Sequence, residues 1–131
     1  MAQRILLVED EESILTTLKL NLEFEGYEVV YATDGKTALD LFKSQYFHLV
    51  VLDIMIPILS GLDVCEQIRL TDSETPIIFL TAMDDEITIL EGFSIGADDY
   101  ITKPFRLAEL DSRIRAIAKR SLALRIHDGD I

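Results

Sequence analysis

Five residues in this chain carry side chains suited to phosphoryl or metal chemistry, and each closes or follows an apolar run. Glu9 and Asp10 follow "RILLV", Asp53 follows "HLVVL", Thr81 ends "PIIFLT", and Lys103 follows "DDYIT". Asp53 poses the sharpest question, because "HLVVLDIMIP" (48–57) reads as a buried strand with one charge in it. A carboxylate is costly to bury unless it is paired or coordinates a cation. Clustered carboxylates repel one another and favour a hard, oxygen-seeking cation, and Mg²⁺ takes one or two of them while keeping waters or phosphate oxygens. A carboxylate beside such a cation can act as a nucleophile toward a phosphoryl group and form an aspartyl phosphate. That chemistry needs positioning and charge neutralisation at the equatorial oxygens. The cation would hold one oxygen, Lys103 a second, and the Thr81 hydroxyl or nearby backbone N–H groups the third.

Each residue alone has a plainer reading. "EDEE" can be a solvated turn, Thr81 a helix cap, and Lys103 with Pro104 a turn before a Pro-initiated helix. The argument for a site is that all five fall at the carboxyl ends of strands, where open α/β sheets bind ligands.

The elements that must position them alternate along the chain, the mark of βα units and a parallel sheet. Strands are expected at 4–8, 27–32, 48–53, 76–81 and 98–102. Helices between them carry Ile14, Leu15, Leu18 and Leu22 on one face, then Ala38, Leu41 and Phe42, then Val64, Cys65 and Ile68 behind a Ser60 cap, then Ile87, Leu90 and Phe93. A final helix, about 105–120, spaces Leu107, Leu110, Ile114 and Ile117. After Arg120 the helical face is lost, so "SLALRIHDGDI" (121–131) is expected to be a linker or the beginning of another unit. Right-handed crossovers make the whole a doubly wound α/β fold with helices on both faces of five strands.

The 131 residues fit one domain, and 49% hydrophobic content supplies a core. No apolar run approaches the roughly 20 residues of a membrane helix, and no signal-peptide pattern opens the chain. The lone Cys65 fits a reducing, cytoplasmic setting and reads as a packing residue. A net charge of −12 makes this domain a poor general binder of nucleic acid. Seven of the 12 basic residues nevertheless lie from Lys103 onward, either a solvated helix face or a partner surface.

"ILLVEDEE", "VVLDIMIPILSG", "PIIFLTA" and "GADDYITKPF" resemble the receiver domain of bacterial two-component response regulators, in order and over residues 4–120. The resemblance implies the strand order 2-1-3-4-5 and a receiver domain at 1–120. It implies that Asp53 accepts a phosphoryl group from a sensor histidine kinase. Glu9 and Asp10 would form the Mg²⁺ pocket with Asp53 and the backbone carbonyl of Met55, and Mn²⁺ would substitute for Mg²⁺. Asp10 would touch the metal more directly and Glu9 through water. Thr81 and Lys103 would contact the phosphoryl group, and the bond before Pro104 would be cis. Thr81 and Tyr100 would form the switch, with the tyrosine ring turning inward as Thr81 moves.

The output surface implied is helix 4, strand 5 and helix 5, which pairs two activated copies in members with a winged-helix DNA-binding domain. Asp98 would then meet Arg120, and Asp99 would meet Arg113, across the dimer. The sequence departs from that pattern where Glu109 should face a basic residue, because the position is Ile89, and Glu91 stands at another site that is often basic. "LRIHDGDI" is similar to the start of such an effector domain, so DNA contact would lie in a missing C-terminal part. A stand-alone receiver in a phosphorelay is the alternative. An aspartate-nucleophile phosphatase would need an acid two residues after Asp53, where Met55 stands, and an FMN binder would not offer the anionic "EDEES" to a phosphate. No turnover enzyme is expected, beyond possible self-dephosphorylation, and no membrane partner.

Overall fold

The computed structural model describes residues 2–129, with side-chain surroundings for 2–119. Ten elements alternate: β1 (Arg4–Val8), α1 (Glu12–Phe24), β2 (Glu28–Ala32), α2 (Gly35–Ser44), β3 (Leu49–Leu52), α3 (Gly61–Thr71), β4 (Ile77–Thr81), α4 (Glu86–Ser94), β5 (Asp99–Thr102) and α5 (Leu107–Gly129). The strands are all parallel, in the order β2-β1-β3-β4-β5.

The central strands are apolar throughout because both faces are covered. Leu6, Val8, Val50, Leu52, Ile77 and Phe79 point to one side, where α2, α3 and α4 pack. Ile5, Leu7, Leu49, Val51, Ile78 and Leu80 point to the other, where Leu15, Leu18 and Leu22 of α1 meet Leu110, Ile114 and Ile117 of α5. Side chains that alternate across a strand therefore feed two separate cores. Strand order reverses between β1 and β3, and the crevice at that switch point is flanked by Val8 and Leu52, which are register partners.

Two expectations fail. Helix α4 does not turn Ile87, Leu90 and Phe93 inward; they are 78%, 61% and 44% exposed. It faces the sheet with Thr88 and Gly92, one helical turn apart, and partly with Ile89. The reason is volume. The rings of Phe79 and Tyr100 already fill that space, and a Cβ on Gly92 would lie 3.3 Å from both. The second concerns α5, which passes Arg120 and continues to Gly129. The stretch 121–128 contains no glycine or proline and is rich in Leu, Ala and Arg, so backbone propensity sustains the helix where the apolar periodicity has stopped.

Asp53 follows β3 directly, and its backbone is held from two sides. Its N–H donates to Val8 O at 3.0 Å, and Gly61 at the start of α3 packs against its carbonyl. A Cβ on Gly61 would fall 2.1 Å from Asp53 O and 2.7 Å from Ile54 Cα, so only glycine lets α3 begin here. Both obstacles are backbone atoms that cannot swing away. Gly61→Ala is expected to cost about 1–3 kcal/mol, the usual range for overpacking. A denaturant melt should show a lowered midpoint at unchanged slope, and an unmoved midpoint would refute this packing account.

Candidate functional site

Three carboxylates meet at the carboxyl ends of β1 and β3. One oxygen each from Glu9, Asp10 and Asp53 lies within 4.8 Å of the others. Glu9 and Asp53 are only 2% and 6% exposed, whereas Asp10 is open to solvent. Lys103, one residue past β5, reaches back over this cluster. Its Nζ donates to Glu9 Oε1 at 2.5 Å and to Asp53 Oδ2 at 3.0 Å. The Lys103 backbone N–H donates to Thr81 O at 2.8 Å, and the Lys103–Pro104 bond is cis. The second oxygens are satisfied locally. Glu11 N–H donates to Glu9 Oε2 at 3.1 Å, and Met55 N–H donates to Asp53 Oδ1 at 3.3 Å.

Burial raises the Glu9 pKa, and the hydrogen bond from Lys103 offsets only part of that rise. Burial pulls Lys103 the other way, but its bonds to Glu9 and Asp53 outweigh burial, so its pKa is raised and the ammonium is held charged. The site is thus one cation shared by two buried carboxylates, with a third carboxylate free at the mouth.

This donor set fits a small hard cation: the atoms are all oxygen, and each carboxylate brings one within 4.8 Å of the others. Asp10 carries no lysine and faces solvent, as a ligand that retains waters on the metal requires.

Beside the cluster, Thr81 is fully buried and Tyr100 is 9% exposed. Both converge on the backbone of one residue, Met83. Met83 N–H donates to Thr81 Oγ1 at 3.3 Å, while the Tyr100 hydroxyl donates to the Met83 carbonyl. The Tyr100 ring packs 5.9 Å from Phe79 and 6.3 Å from Phe93 between ring centres. It therefore already lies inward, in the room that Gly92 leaves. Met83 and Gly92 escaped the sequence reading because one acts through its backbone and the other through a missing side chain.

The family model for the response regulator receiver domain matches residues 5–115. The chain belongs to this family. The alkaline phosphatase synthesis transcriptional regulatory protein PhoP of Bacillus subtilis (strain 168) is 47% identical over 121 residues, which are 92% of this chain and 50% of PhoP. Among solved structures, a CheY-like response regulator receiver domain protein from Methanospirillum hungatei JF-1 superposes with a TM-score of 0.91 at 29% identity, covering 94% of this chain and 98% of that one. Response regulator DrrB, a Thermotoga maritima OmpR/PhoB homologue, gives 0.84 at 37% identity, over 92% of this chain and 54% of DrrB. The chain spans about half the length of the curated relatives it matches.

In this receiver the expected dimer-face residues are scattered among different tasks. Asp98 is used internally: its Oδ2 accepts from Ile77 N–H at 2.8 Å and from Arg69 at 3.1 Å. Arg69, which the sequence reading passed over, also donates to the carbonyls of Gly96 and Asp72 and so ties α3 to the loop before β5. Asp99 pairs with Arg113 of the same chain at 2.8 Å, and Arg113 pairs in turn with Glu109 at 3.3 Å. Ile89 is partly buried against the core, leaving Ile87, Leu90 and, less fully, Phe93 as the large apolar groups exposed on α4. The side chain of Arg120 lies outside the described residues. No helix among the described residues is long and apolar enough to cross a membrane. The Cys65 thiol is buried and pushed up to about 11, which leaves it inert as a nucleophile.

The Tyr100 phenol is pushed up from 10.0 to about 12, first by burial and then by Asp85, Asp53 and Asp84. A phenol whose folded pKa exceeds its unfolded value favours the fold while it is neutral. That contribution is complete below the unfolded value near 10 and is lost as pH rises through about 12. Denaturant melts between about pH 9 and pH 12 should therefore lose stability more steeply for the wild type than for Tyr100→Phe. Parallel curves would contradict the buried position of the phenol.

Proposed function

We propose that this receiver domain accepts a phosphoryl group on Asp53 from a phosphohistidine of a sensor kinase and passes the change to the face formed by α4, β5 and α5. The observation that carries the proposal is the single ammonium of Lys103 bridging two buried carboxylates beside an exposed third. Asp53 supplies the attacking oxygen, the donor's P–N bond breaks, and an acyl phosphate remains. Mg²⁺ bound by Asp10, Asp53 and the Met55 carbonyl would neutralise phosphoryl charge, with Mn²⁺ able to replace it. Glu9 is committed to Lys103 and would reach the cation only through water.

Before transfer, Lys103 balances Glu9 and Asp53; afterwards it balances the new phosphoryl oxygens. Thr81 holds its hydroxyl oxygen on Met83 N–H, and its proton is free to turn toward a phosphoryl oxygen. That turn would disturb Met83, whose carbonyl also anchors Tyr100. Helix α4 is the element suited to respond, because it is held to the sheet by small side chains and exposes its large ones. A dianion placed beside a bistable contact is the usual form of such a switch.

The names of the relatives support transcription control as the output; we read that output as carried by a C-terminal winged-helix DNA-binding domain in a cytoplasmic protein. The receiver itself turns over no substrate. Two phosphorylated copies would pair through Ile87 and Leu90, with Asp99, Glu109 and Arg113 at the rim. Exposed ion pairs contribute only about 0–1 kcal/mol each, so the apolar contact matters more than any missing pair.

Acetyl phosphate with Mg²⁺ should phosphorylate the wild type at one site and shift its sedimentation from monomer to dimer. Asp53→Asn should show neither effect. Labelling of Asp53→Asn at the wild-type rate would overturn the assignment, and labelled wild type that stays monomeric would remove the dimer.

A further inference from the structure

The loop between β3 and α3 contains a residue that is unfavourable on two independent counts. Ile58 has φ +74°, a left-handed conformation that is a genuine outlier for a β-branched side chain. It is also 73% exposed. Leu59 N–H donates to the Pro57 carbonyl at 2.9 Å, so Ile58 is the centre of a three-residue turn, and the positive-φ form of that turn is rare and strained. Glycine or asparagine would adopt this φ at less expense and remove an apolar side chain from water. Nothing in the acidic pocket uses the Ile58 side chain.

The turn is displayed rigidly and beside the phosphoacceptor. The Pro57 carbonyl also accepts Gly35 N–H at 3.1 Å, and Gly61 N–H donates to Ile54 O at 2.8 Å, so both flanks of the loop are fixed to the body of the domain. On the same loop, Met55 is 64% exposed, and its N–H is on the Asp53 carboxylate. Flanking loops expose Asp10, Glu11 and Glu12 on one side and Asp84, Asp85 and Glu86 on the other. An apolar projection amid a charged rim has the composition of an interface centre.

We propose that Ile58 is an apolar anchor for the protein that donates the phosphoryl group, entering a hollow on that donor whose edge is basic. The inference rests on the phosphoacceptor reading above. The occupant follows from position and charge. Whatever delivers a phosphoryl group to Asp53 must cover this loop, and a second copy of this chain would set the acidic rim against itself. Because the turn is already fixed, docking on it sacrifices little freedom.

The test compares wild type, Ile58→Asn and Ile58→Met. Each is measured for the rate of phosphorylation by acetyl phosphate, the rate of transfer from the purified histidine kinase that phosphorylates the wild type, and melting temperature. Ile58→Asn should melt higher by roughly 2–4 °C, as relief of backbone strain requires. It should keep the acetyl phosphate rate and receive the phosphoryl group from the kinase about tenfold more slowly. Ile58→Met, which stays apolar, should recover most of the kinase rate. Kinase transfer to Ile58→Asn at the wild-type rate overturns the proposal, as does an equal slowing with both donors, which would mean that the loop had merely misplaced Asp53. Normal transfer with loss of dimerisation would assign Ile58 to a second copy instead and also overturns it. If acetyl phosphate does not label the wild type and no histidine kinase is found that does, the phosphoacceptor reading itself fails, and the proposal with it.

Discussion

One ammonium between two buried carboxylates is the interaction around which the rest of the molecule is arranged. Glu9, Asp53 and Lys103 come from three different strand ends, and each is almost out of solvent. Left unpaired, either carboxylate would strongly destabilise the interior. Lys103 makes both tolerable, yet it leaves the cluster two positive charges short once Asp10 is counted. That deficit is the physical basis for reading the pocket as a cation site and then as a place where an incoming phosphoryl group can be held.

The same constraint explains the architecture on either side of the pocket. The sheet is apolar on both faces, so polar chemistry is confined to the strand ends. At those ends the loops are fixed largely through backbone groups: Gly61 against Asp53, the Pro57 carbonyl shared by Gly35 and Leu59, and the N–H and carbonyl of Met83, which hold Thr81 and Tyr100. Rigid surroundings at Asp53 contrast with the loosely seated α4. Chemistry is therefore positioned by loops tied down through their backbones and lies next to a helix that keeps its large side chains exposed.

Most of the fold is legible in the sequence, because continuous apolar runs mark strands covered on both faces and charged residues mark where they end. The five chemical residues are legible for the same reason. Helix α4 misleads because Ile87, Leu90 and Phe93 keep an apolar spacing while the buried stripe is Thr88 and Gly92; the deciding fact, the bulk of Phe79 and Tyr100 across the gap, belongs to other elements. The dimer-face residues are a different case. Asp98 and Asp99 have acceptors' work within their own chain, on Arg69, Ile77 and Arg113, and pairing of that kind depends on loop geometry that no residue spacing discloses. Ile58 is invisible to pattern altogether, since its interest lies in a backbone angle.

The central claim is that the carboxylate cluster, short of two positive charges, takes up a single divalent cation. Isothermal titration of the wild type and Asp10→Asn with MgCl₂ tests it most directly. The account predicts one site on the wild type and a severe loss of affinity when the exposed, lysine-free carboxylate becomes an amide. Equal binding by both proteins, or no saturable binding by either, would contradict it.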